Sequence, residues 1–101
     1  MSLGEIDERL KNILPQLKNI SGLIRFDLGE DGLWLVDARQ PSASLRQDDG
    51  DLDADCTILI SAANLEKMLD GKLDPMLGYT MGKIKVKGSM GLAMKLVSAI
   101  G

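Results

Sequence analysis

The stretch Gly71-Lys-Leu-Asp74-Pro75-Met-Leu-Gly-Tyr79-Thr-Met-Gly-Lys83-Ile-Lys85-Val-Lys87-Gly-Ser89-Met-Gly-Leu-Ala-Met-Lys-Leu96 contains three successive kinds of local order. Asp74 and Pro75 read as a helix start: the carboxylate accepts from free N–H groups, and proline has no N–H to leave unpaired. Lys83 to Lys87 alternates charged and apolar with period two, the mark of a strand wetted on one face. Ser89 then caps a last helix from about Met90 to Ala99, whose polar residues Gly91, Lys95 and Ser98 form one narrow stripe. The rest of its circumference is apolar. Such a helix is buried on two sides, covers a cavity or leaves a sticky patch.

Working outward, Cys56 to Ile60 reads as a strongly apolar strand, and Ser61 caps a helix with Leu65, Met68 and Leu69 on its buried stripe. Gly71 ends that helix through a left-handed cap. A second, short helix from Pro75 carries Met76, Leu77, Tyr79 and Met81. Near the N-terminus, Leu3, Ile6, Leu10, Ile13, Leu14 and Leu17 recur at the steps of an amphipathic helix. Ser2 and Glu5 have capping-box spacing, and Pro15 ends the helix near Ile13, with a short turn continuing toward Asn19. Ile24, Phe26 and Leu28 alternate with Arg25 and Asp27 as a half-buried strand, followed by a turn at Glu30-Asp31-Gly32. Leu33 to Arg39 is apolar on both faces at Trp34, Leu35 and Val36, which suggests a central strand. After Pro41, Ser42 to Gln47 is shorter and more polar, as an edge strand should be.

The run Asp48-Asp-Gly-Asp-Leu-Asp-Ala-Asp55 invites comparison with a calcium loop. Counted from Asp49, the glycine needed at the sixth position is Ala54, and the glutamate needed at the twelfth is Ile60. It fails the template and reads as a solvated acidic hairpin turn. With no histidine in 101 residues, serine–histidine and cysteine–histidine nucleophiles are excluded and a zinc site lacks its commonest ligand. Asp74 is explained as a cap and Asp55 as a strand-entry residue, so no catalytic residues, metal site or cofactor are expected. A net charge of −3 argues against nucleic acid, although residues 83–101 carry four lysines and no acid. The single cysteine, Cys56, excludes an internal disulfide and fits a reducing compartment.

The order and spacing of these motifs resemble the sterol carrier protein type 2 family. The Asp55-Cys-Thr57 strand, the following helix, the Gly71-Lys-Leu-Asp-Pro75 turn, the Met81-Gly-Lys-Ile-Lys85 strand and the Gly88-Ser-Met-Gly-Leu-Ala-Met-Lys-Leu96 helix carry the resemblance. It covers the C-terminal half in detail and the whole chain in length and element order. The resemblance implies a small non-catalytic carrier of sterols, fatty acids, acyl-CoA esters or phospholipids. Some members end in a peroxisomal address; Ser98-Ala-Ile-Gly101 does not match it, the N-terminus is charged, and no span is long enough to cross a membrane, so a cytoplasmic protein is expected.

The expected fold is therefore one α+β domain over residues 1–101. It has a five-stranded, mostly antiparallel sheet covered on one face by four to five helices, with an apolar cavity between the layers. Only three residues are aromatic while six are methionine, a composition that suits either an adaptable apolar lining or a core filled without aromatics. The expected lining comes from Met68 and Leu69, from Met76, Leu77 and Met81, and from Leu92, Met94, Leu96 and Val97 of the last helix. From the sheet, Phe26, Trp34 and Leu35 are candidates. Lys83, Lys85 and Lys87 have two readings: contacts to lipid headgroups or a transient anionic membrane surface, or simply a soluble strand face. The expected partner is a long-chain apolar ligand bound by a monomer or weak homodimer. The alternative is a dimerisation or accessory module that presents a lipid substrate to a partner enzyme.

Overall fold

In the computed structural model, which describes residues 2–17 and 20–100, the chain runs α1 (Leu3–Ile13), a 3-10 turn (Leu14–Leu17), β1 (Leu23–Asp27), β2 (Leu33–Asp37), β3 (Ser44–Asp48), β4 (Cys56–Ile60), α2 (Ala62–Leu69), α3 (Pro75–Thr80), β5 (Ile84–Gly88) and α4 (Met90–Ile100). The side chain of Leu3 and the expected continuation toward Asn19 lie outside the described residues. The helix starts follow local chemistry. Ser2 Oγ accepts the Glu5 N–H, Ser61 Oγ accepts the Asn64 N–H, and Asp74 Oδ1 accepts from both Met76 and Leu77. At the end of α2, Gly71 takes φ +75°, the Lys72 N–H donates to Lys67 C=O and the Gly71 N–H to Met68 C=O, a complete Schellman closure.

The strands form one sheet in the order β3-β2-β1-β4-β5, antiparallel except for the parallel β1–β4 pair. The expected α+β architecture is thus present, with the polar β3 at one edge and β5 at the other. Phe26 pairs with Trp34 and Ile58, so these share one face. There Ile6 and Leu10 of α1, Leu65 and Met68 of α2, and Ala93 and Leu96 of α4 complete the core. Each of the larger of these side chains contributes about 1.5–3 kcal/mol by leaving water.

The parallel pair overturns the reading of Asp48–Asp55 as a hairpin turn, although residues 49–53 are exposed to solvent as expected. β3 and β4 are not neighbours, so residues 49–55 must carry the chain past β2 and β1. They cross the face opposite the helices. Arg25, which pairs with Leu35 and Thr57 on that face, donates through Nε to Asp48 Oδ2 at 2.5 Å and through Nη2 to the Leu52 carbonyl. Asp48 is consequently fully buried at its side chain rather than wetted. Burial pushes its carboxyl up, but the Arg25 guanidinium, the Gly50 N–H and Arg46 outweigh that and hold it below the usual carboxylate range.

Candidate ligand-binding cavity

Two close approaches position the helices around the cavity. Gly78 is the buried residue of α3, and a Cβ there would stand 2.9 Å from Ile84 Cδ1, so α3 lies directly on β5. The Lys83 N–H donates to Gly78 C=O at 2.8 Å and ties the helix to the strand that follows. At the start of α4 the Ser89 N–H donates to Asp55 C=O at 2.8 Å, while Ser89 Oγ accepts the Leu92 N–H. Ala93 and Leu96 then turn inward, nearly inaccessible to solvent.

Between these elements and the sheet lies a cavity of about 260 Å³ whose lining is wholly apolar. Ile58, Ile84 and Val86 form its sheet side, Met68 enters from α2, and Pro75, Met76 and Tyr79 from α3. Met90, Ala93, Met94, Leu96, Val97 and Ile100 close it from α4. Met76, Tyr79, Met90 and Met94 are also exposed, so they form the rim of a mouth. The volume sits just below the ~300 Å³ at which small-molecule pockets begin. Four of the lining residues are methionines, whose unbranched, polarizable side chains can repack around a guest.

Of the lining residues expected from the sequence, the structure places Met68, Met76, Met94, Leu96 and Val97 on this cavity. The other expected lining residues lie elsewhere. Phe26 and Trp34 are fully enclosed in the core among sheet and helices, away from the cavity. Leu35 is buried on the opposite face of the sheet, beside Arg25. Leu69 packs on the edge of the core, and Leu92 lies against Gly22, where a Cβ would stand 2.7 Å from its Cδ1. Leu77 and Met81 point outward and are 55% and 57% exposed. Ile58, Pro75, Tyr79, Ile84, Val86, Met90, Ala93 and Ile100 line the cavity without having been singled out; the inward alternation of Ile84 and Val86 was the one available signal.

Apart from Tyr79 at the rim, no titratable side chain lines the cavity. Cys56 is buried in β4, and burial, then the nearby Asp55 charge, raise its thiol above the ordinary value. Lys83, Lys85 and Lys87 are exposed, and none forms an ion pair among the described residues. Among the described residues no cluster of three or more potential metal ligands occurs, and no helix is long and apolar enough to cross a membrane.

With this geometry in place, the SCP-2 sterol transfer family model matches residues 3–101. The chain belongs to the SCP-2 sterol transfer family. Sterol carrier protein 2 of Rattus norvegicus is 35% identical over an alignment 100 residues long that covers 93% of this chain and 18% of that protein. Hydroxysteroid dehydrogenase-like protein 2 of Xenopus laevis is 31% identical over 87 residues, 84% of this chain and 21% of the relative. This SCP-2 chain thus spans about a fifth of the length of such relatives. Among solved structures, sterol carrier protein domain 2 of Helicoverpa armigera superposes with a TM-score of 0.70 at 28% identity, covering 95% of this chain and 80% of that one. Palmitated SCP2L2 of Aedes aegypti reaches 0.72 at 19% identity, covering 99% and 95%, a likeness of fold.

Proposed function

We propose that this SCP-2 chain is a non-catalytic lipid-binding and transfer domain that holds one apolar chain or ring system between its sheet and its last three helices. The observation that carries this reading is the cavity lining, which offers apolar contacts and, apart from Tyr79 at the rim, no ionisable group. Burying each methylene contributes about 0.8 kcal/mol, whatever the shape that carries it. Without polar groups to fix orientation, the site accepts sterol, fatty acid, acyl-CoA or phospholipid chains with little discrimination. The polar end of such a guest stays at the mouth, between Met76, Tyr79, Met90 and Met94. The relatives named sterol carrier protein 2 and the palmitated Aedes protein support the class of ligand.

A second reading has its own support. The relatives are about five times longer than the matched segment, and one is named as dehydrogenase-like. In that setting the domain serves as an accessory module that presents lipid to a partner enzyme. The buried, unpaired Cys56 suits a reducing compartment such as the cytoplasm in either case. Titration of the isolated chain with a fluorescent fatty acid, followed by displacement with unlabelled palmitate, tests the carrier reading. Saturable binding of one molecule per chain is expected; no saturable binding at micromolar protein would refute it.

A further inference from the structure

All five methionines among the described residues fall between positions 68 and 94, and four of them line the cavity. They differ in what can reach them. Met76, Met90 and Met94 are 47%, 43% and 41% exposed, so each meets both the cavity and water. Met68 lines the same cavity but is only 7% exposed. Met81 is the converse, 57% exposed and off the cavity.

Leucine at the mouth would supply nearly the same apolar volume. What the thioether adds is reactivity: peroxide converts it to a sulfoxide, and a flexible apolar side chain becomes a polar one. The chain's single thiol does not compete, because Cys56 is fully buried in β4. A sulfoxide at the mouth would also find little to pair with. Apart from Tyr79 at the rim, the lining has no side-chain hydrogen-bond donor.

Resting on the carrier reading, we propose that Met76, Met90 and Met94 form a peroxide-sensitive modification site at the cavity mouth, whose oxidation to sulfoxide makes the domain release its apolar guest. At each residue the thioether sulfur attacks the terminal oxygen of a hydroperoxide. The O–O bond breaks and an S–O bond forms, so sulfide is oxidised to sulfoxide and the hydroperoxide is reduced. Its other oxygen takes up the proton and leaves as water or an alcohol. A returning guest must then cover an S=O dipole that water solvates in the free domain, and that opposes binding. The hydroperoxide comes either from water, as hydrogen peroxide, or on the chain of the guest itself. The two sources leave different footprints. From water, Met81 is oxidised with the three mouth residues and Met68 is spared; from a guest, Met68 is reached and Met81 is spared.

The test exposes the chain to hydrogen peroxide or to a fatty-acid hydroperoxide, maps sulfoxides by peptide mass spectrometry, and titrates a fluorescent fatty acid before and after. Either footprint supports the site and identifies its source. Sulfoxide at the three mouth methionines should weaken binding at least about tenfold. Thiol-driven methionine sulfoxide reductases, which release the oxygen as water while two thiols become a disulfide, should restore it. Under hydrogen peroxide, Met81→Leu should respond like wild type. Met76→Leu, Met90→Leu and Met94→Leu together should show one affinity before and after treatment, whatever that affinity is. Unchanged binding by wild type once all three residues are converted would overturn the inference and leave the carrier reading standing. So would a triple-leucine chain that still loses binding under hydrogen peroxide, or mouth methionines that neither peroxide oxidises. An oxidised chain without a ligand-free melting transition would overturn it too, since the loss would then be unfolding. A chain that binds no fatty acid before any treatment refutes the carrier reading and this inference with it.

Discussion

Leu23 and Asp55, 32 positions apart, exchange two hydrogen bonds: the Leu23 N–H donates to Asp55 Oδ2 at 2.9 Å, and the Asp55 N–H donates to Leu23 C=O at 2.8 Å. The pair fastens the start of β1 to the residue before β4, where the sheet's parallel register begins. Asp55→Ala leaves the Leu23 N–H without its acceptor in a part-buried site. It should lower unfolding stability by about 1–3 kcal/mol. Asp55→Asn keeps an acceptor oxygen and should cost about half as much. Urea denaturation checks both, as a lower midpoint with an unchanged slope.

Arg25 and Asp48 clasp the crossing segment to the open face of the sheet, and this clasp should set the acid limb of stability. The Asp48 carboxyl titrates lower in the folded chain than its ordinary value of 3.8. Its contribution is therefore complete above that value and is lost as pH falls toward the folded pKa. Asp48→Asn should flatten the decline of stability below about pH 4. At neutral pH it should cost about 3 kcal/mol, because the Arg25 guanidinium, itself mostly buried, loses its counter-charge. Thermal unfolding of both proteins from pH 7 to pH 3 separates the two effects.

Which features were legible in the sequence follows from how far each one's cause reaches along the chain. Ser2, Ser61 and Asp74 act on N–H groups two or three residues away, so the helix starts could be read directly. The inward alternation of Ile84 and Val86, and the polar edge strand β3, are likewise short-range patterns. Residues 49–55 could not be read this way, because a hairpin and a crossover differ only in which distant strand β4 joins. Leu35 is apolar but pairs with Arg25 on the face away from the core, and alternation alone does not say which of two buried faces holds the cavity. Leu77 and Met81 read as lining from the sequence because α3 is apolar on several sides. Its rotation is settled by Gly78, the position where a missing side chain lets the helix rest on Ile84.

Gly88 joins β5 to α4, and both its backbone and its surroundings exclude a side chain. Its φ is +87°, and a Cβ would stand 2.6 Å from the Asp55 carbonyl oxygen, a backbone atom that cannot step aside. Gly88→Ala should cost at least about 3 kcal/mol, since left-handed strain and a backbone clash act together. Gly71 provides the control. It is also left-handed, at +75°, but has nothing within 4 Å of the added carbon. Gly71→Ala should therefore cost only the strain, about 1–2 kcal/mol. Paired urea titrations check the difference; equal losses would contradict the contact assigned to Gly88.

Ala93 is the small residue on the α4 side of the cavity, buried, in a lining that Ile58 and Val86 complete from the sheet. Ala93→Phe directs a benzyl group into the space that a guest would fill. In the wild-type chain, a fatty acid at a hundred times its Kd adds about 2.7 kcal/mol to stability. For a domain of this size that raises Tm by roughly 10 °C or more. The variant should weaken fatty-acid binding at least about tenfold and lose most of that rise, because the volume for methylene burial is gone. Its own Tm without ligand should hold or increase, as expected when a void is filled rather than a core overpacked. That combination separates occupation of the cavity from damage to the fold: a merely disrupted protein would lose both its intrinsic Tm and its ligand response. If Ala93→Phe binds and responds like wild type, the guest lies elsewhere, and the methionines around the mouth serve the surface of α3 and α4 rather than a ligand within.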